Sequence, residues 1–145
     1  MAVLLIACGK DGGGAAGGSA EETGDLADDA RKDIAELESS LAANNTNHAA
    51  AVCSVAKPGL AKLKAKAPVV GGKLERLCNR DRPLKELANK VAELEAARKA
   101  EPTGLVMGCT SLGIYRKPLE AGGYGDDPEV LALSTRWTAA CPPRK

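Results

Sequence analysis

Apolar positions recur at three- and four-residue steps along most of this chain, the spacing of helix faces rather than of strands. Residues 21–43 carry Ala27, Ala30, Ile34, Leu37 and Leu41 on one stripe, with Asp25 placed to cap and Asp28 and Asp29 at the positive end of the helix dipole. Asn44-Asn45-Thr46-Asn47 breaks that stripe. A second helix is predicted from near Asn47, with Val52, Val55 or Ala56, Leu60 and Leu63 inward and a kink or restart at Pro58-Gly59. Ala67-Pro68-Val69-Val70-Gly71-Gly72 reads as a turn, and residues 73–79 as a short helical segment. The strongest pattern follows Asp81-Arg82-Pro83. Leu84, Leu87, Val91 and Leu94 form its stripe, and Glu86/Lys90 and Glu95/Lys99 are spaced to pair across one turn.

The pattern fades in residues 102–125, where six glycines interrupt a few apolar side chains. A structureless loop of that length is uncommon in a compact domain, so a short hairpin or a broken helix tied down through Cys109 is expected. Asp127-Pro128-Glu129 opens a last helix, with Val130, Leu133 or Ser134, Trp137 and Cys141 on one face. The expected fold is therefore all-α, a small bundle-like domain of three or four helices over residues 21–145.

Composition narrows the function. The chain has 145 residues, 44% apolar and 27% charged, with a formal net charge of +1. That is one domain's worth of globular sequence and not a polycation, so no nucleic-acid partner is expected. The only aromatics are Tyr115, Tyr124 and Trp137, and His48 is the only histidine. Little material exists for a base-stacking platform, an aromatic pocket or a histidine metal site. His48 sits at a helix start, far from any nucleophile, and Asp28-Asp29 and Asp126-Asp127 sit where helices begin. Neither an enzyme nor a cofactor is expected.

The first eight residues have a pattern of their own. Met1-Ala2-Val3-Leu4-Leu5-Ile6-Ala7-Cys8 is a short apolar run ending in a small residue and a cysteine, with no cation before it. Leu5-Ile6-Ala7-Cys8 resembles the lipobox of bacterial lipoproteins. The resemblance implies removal of residues 1–7, acylation of Cys8 and a membrane as partner through those acyl chains. Gly9 and Lys10 follow, and the lack of an aspartate there implies outer-membrane delivery in a diderm host. Residues 8–20 then form the lipidated cysteine and a glycine-rich tether too poor in apolar surface to order itself.

Five cysteines are an awkward number in an oxidising compartment. With Cys8 acylated, Cys53, Cys78, Cys109 and Cys141 remain, and four cysteines allow three pairings. Without a C-x-x-C among them, two structural disulfides of an exported domain are the expectation. Sequential pairing, Cys53–Cys78 and Cys109–Cys141, closes the shortest loops.

Charge is unevenly spread. Residues 21–41 hold a net −6 and residues 57–99 a net +7. These segments either lie side by side and neutralise each other, or leave a basic face open within residues 57–82. Lys62, Lys64, Lys66, Lys73 and Arg76 are its candidate members, facing an anionic envelope polymer or lipid headgroup. The leading expectation is an anchored envelope lipoprotein with a structural or adaptor role through protein contacts. A binding module built on the basic face is the alternative.

Overall fold

The computed structural model describes residues 24–109 and 111–143. Cys8, the lipobox-like segment and the glycine-rich tether lie outside those residues. Among the described residues the chain is all-α with no strand.

Helix α1 spans Asp25–Ala42 and buries the predicted stripe of Ala27, Ala30, Ile34 and Leu37, with Leu41 packed beside it. It begins at Asp25 itself, so Asp25 is the first helical residue and not the cap. Asn44 turns the chain in the left-handed region (φ 59°), which asparagine tolerates better than most residues. Asn45 then caps α2 (Thr46–Ala56) by accepting the His48 amide at 3.2 Å. Pro58 and Gly59 form a single 3₁₀ turn, Lys57–Gly59, before α3 (Leu60–Lys66). Of the two inward candidates at the end of α2, Ala56 packs against the core and Val55 points outward.

The predicted turn at residues 67–72 is a helix instead. The chain bends only at Ala67 (φ −139°, ψ 75°), and α4 runs Pro68–Arg76 with proline at its first position. Gly71 serves packing here. A Cβ at that position would sit 2.8 Å from the Lys64 Cα, so its glycine lets α3 and α4 touch backbone to backbone.

No helix start occurs at Asp81. Leu77–Asp81 is a π-helical turn that joins α4 directly to α5 (Arg82–Ala100). Asp81 is itself helical (φ −68°, ψ −41°) and makes no side-chain cap. The result is an unbroken helical shaft from Pro68 to Ala100, about 50 Å long. The expected pairs on α5 are also re-sorted. Glu86 takes Arg82 at 2.7 Å, Lys90 takes Glu93 at 2.8 Å, and Glu95 is claimed by Arg136 at 2.6 Å.

No hairpin forms in residues 102–125. A loop leads into α6 (Leu112–Ala121), which buries Leu119 completely despite Pro118 in its interior. α7 (Pro128–Ala140) opens as predicted, Asp127 accepting the Glu129 amide at 2.9 Å.

The apolar side chains gather in two clusters. The first joins α1–α4 around Leu37, Leu63 and Leu74. The second joins α5–α7 and the loop before α6 around Leu87, Leu94, Leu119 and Trp137, with Tyr115 against the indole at a 5.5 Å centroid distance. Each cluster carries one disulfide, Cys53–Cys78 in the first half and Cys109–Cys141 in the second. The sequential pairing is thus the one found. A core with so few aromatics gains less from burial, and each cross-link offsets this by about 3–4 kcal/mol in the chain-entropy account. Two disulfides mark an oxidising, extracytoplasmic location. No helix among the described residues is long and apolar enough to cross a membrane.

Candidate interaction surface

The residues proposed for an anionic partner do not act as one face. Helix α3 splits them. Lys64 leans toward α4, where its Nζ meets Glu75 at 2.7 Å. Lys73 on α4 reaches across to Glu38 of α1, also at 2.7 Å, and Arg76 lies 3.9 Å from Asp81. Lys62 and Lys66, one turn apart on α3, are exposed and have no charged partner among the described residues. Lys57, in the 3₁₀ turn, is in the same position. Arg80 and Arg82, which the sequence adds to this basic stretch, are drawn into ion pairs and leave it.

The acidic helix does not neutralise the basic segment. Glu38–Lys73 is the one ion pair between α1 and residues 57–76 among the described residues. The other α1 acids pair locally, Asp28 with Arg31 at 2.8 Å and Asp29 with Lys32 at 3.3 Å, while Glu36 meets His48 at 2.5 Å. That contact gives the single histidine a structural role, bridging α1 to α2. Partial burial, then Glu36 and Asp29, push the Asp33 carboxyl above its usual range. The acids of α1 therefore form a ridge that repels itself. Between Glu38 and Glu75 the sequence holds five lysines and no acidic residue.

The seam between the two halves is polar and closed. Arg80, at the end of the π-turn, donates Nε to Asp127 at 2.8 Å and its two terminal nitrogens to Asp81 at 2.9 Å and Glu129 at 3.1 Å. Those bonds hold the guanidinium well above the ordinary arginine range. Arg80 and the Glu129 amide together hold the Asp127 carboxyl below its usual range. Beside this knot, α5 and α7 flank a shallow cleft of about 530 Å³ floored by Leu84, Ala88 and Leu133. Sequence reasoning missed Arg80 as a hub, because its partner Asp127 lies 47 residues away.

A second built feature lies at the far end of the shaft. Arg98 donates to four backbone carbonyls, those of Ala140, Glu101, Pro102 and Gly104, at 2.9–3.2 Å. Together with Cys109–Cys141 it fixes the loop after α5. That loop buries Val106 and presents Leu105 and Met107 to solvent, 72% and 87% exposed. Compared with family models, curated proteins and solved structures, the chain shows no match.

Proposed function

We propose that this is an exported lipoprotein held to a membrane of the bacterial envelope by acyl chains on Cys8, with a helical domain that works through protein contacts. The carrying observation is the fate of the cysteines. Four of the five are joined to one another in two bonds, and the remaining one is Cys8 of the lipobox-like Leu5-Ile6-Ala7-Cys8. An exported chain with a single leftover thiol has a reason for it if that thiol is acylated. By the same resemblance, Gly9 and Lys10 direct it to the outer membrane in a diderm host. An adaptor role is supported by the loop at Leu105 and Met107. Two large apolar side chains are held out on backbone fixed by Arg98 and a disulfide, so little ordering entropy remains to be lost on contact.

The test is the intact mass of protein expressed with its native upstream region and taken from the membrane fraction. Cleavage before Cys8, added acyl chains and a rise of about 4 Da on reducing two disulfides are expected. Replacement Cys8→Ser is expected to let a high-salt wash release the protein from the membrane fraction, which the acylated chain resists. A full-length, unacylated chain would remove the anchoring reading.

A second reading has its own observation. Lys57, Lys62 and Lys66 stand exposed and unpaired on the half that carries the basic stretch, which suits recognition of an anionic polymer or lipid headgroup.

A further inference from the structure

We infer that the edge carrying Lys62 and Lys66, with Lys57 in the turn before it and Val55 in the adjoining hollow, rests on the surface of an anionic phospholipid bilayer. This rests on the anchored reading and supplies that membrane with a second point of contact. Three observations carry it.

The first is where the described chain starts. Leu26, in the first turn of α1, lines a hollow of about 170 Å³ together with Val55, Gly59 and Leu63. The polypeptide coming from Cys8 thus arrives beside the end of α2, the 3₁₀ turn and α3. Fifteen residues, 9–23, separate Cys8 from that point, a reach of at most about 50 Å, so acyl chains on Cys8 would keep this edge within that distance of the membrane.

The second is charge complementarity. The three lysines have no acidic partner among the described residues, and no acid interrupts the sequence around them. Asp29 and Asp33 of α1 line the opposite wall of the hollow, Asp29 held by Lys32. An anionic surface attracts one wall and repels the other, which sets the orientation of the domain. The third is Val55. It is 80% exposed at the end of a helix whose Ala49, Cys53 and Ala56 pack against the core, an apolar side chain left free to settle at a lipid interface.

The experiment uses the full chain with Cys8→Ser, so that no acyl chain contributes. Its co-flotation is measured with vesicles of phosphatidylcholine alone and with about one third phosphatidylglycerol. Expected is a preference of the order of a hundredfold for the anionic vesicles, at millimolar lipid, that fades as salt is raised. The pair Lys62→Ala and Lys66→Ala is expected to weaken it about 25-fold, at roughly fivefold per lysine. Both positions are exposed and unpaired, so the fold is retained, which far-UV circular dichroism checks. The pair Lys99→Ala and Lys117→Ala, removing exposed cations of the second half, is expected to change it less than about twofold.

Four results would overturn the inference: no flotation with anionic vesicles, equal flotation with neutral ones, indifference to the Lys62/Lys66 pair, or capture by soluble polyphosphate but not by vesicles. None of these bears on acylation of Cys8, which the intact mass reads separately.

Discussion

The two halves of the molecule treat charge in opposite ways. In the second half the cations that hold structure are arginines. Arg80 gathers three carboxylates, Arg98 four carbonyls, and Arg136 grips both oxygens of Glu95 at 2.8 and 2.6 Å. In the first half the cations around α3 and α4 are mostly lysines, three of them left in water, and the acids of α1 crowd one another. The guanidinium is planar and forked, so each arginine can tie several distant segments together. The lysine ammonium is a hydrated point charge on a flexible stem and projects charge instead of fixing backbone. One half is cross-braced and the other presents a field.

The sharpest way to break this comparison is through the cores. Leu37 and Leu87 are both fully buried, one in each cluster. Leu37→Ala and Leu87→Ala are each expected to cost about 3 kcal/mol through lost burial and an unfilled cavity. Hydrogen exchange should show the Leu37→Ala loss concentrated in residues 25–78 and the Leu87→Ala loss in residues 82–140. Uniform loss in both would mean that the halves unfold as one unit and that their difference is electrostatic only.

A smaller effect tests how the lysine-rich hairpin is built. Gly71→Ala places a methyl group against the Lys64 backbone and should destabilise by about 1–3 kcal/mol. Denaturant titration would show it, while Gly72→Ala, which meets nothing within 4 Å, should be neutral or slightly stabilising. Equal effects at the two positions would show that α3 and α4 are not in backbone contact.

The smallest effects have opposite signs in the two halves. Asp127 has a depressed folded-state pKa, so its contribution is present above its unfolded value and is lost as pH falls through the folded one. Asp33 has a raised one. Its contribution is fully present below the unfolded value and is lost as pH rises through the folded value, so at neutral pH its charge opposes folding. Asp127→Asn should lower the melting temperature at pH 7 and change little in acid. Asp33→Asn should raise it by the order of 1 °C at pH 7, with the gain gone in acid. Melting curves at both pH values check this, and like signs for the two variants would erase the contrast.

Much of the fold was readable from local pattern. The stripes through Ile34 and Leu37 and through Leu87 and Val91 mark their helices because burial follows the 3.6-residue period. The opening of α7 is readable because Asp127 and Pro128 act on their own neighbours. What escaped was decided by residues distant in sequence. Gly71 is a turn signal until Lys64 is beside it. Asp81 is an ideal cap until the helix before it fails to end. α6 is hidden by Gly113 and Pro118, and the burial of Leu119 against the second core outweighs both. The basic edge was half legible. Counting charges located the segment, but only the positions of Glu38 and Glu75 show that Lys73 and Lys64 are spent while Lys62 and Lys66 are not.

The π-turn explains why a single shaft serves two cores. Val70, Leu77, Leu84 and Val91 recur every seven residues, with Leu74 buried beside the first two and Leu87 and Leu94 beside the last two. Wound as a regular helix throughout, such a repeat drifts by only about 20° per heptad. Leu77–Asp81 turns about 80° per residue in place of about 100°, so by Arg82 the azimuth has slipped by roughly a quarter turn. The leucines beyond it face a different quadrant, where α6 and α7 meet them. A stripe close to straight in sequence is thereby aimed two ways in space, and the five residues that do the aiming give Leu77 and the disulfide-bonded Cys78 to the first interior and nothing to the second.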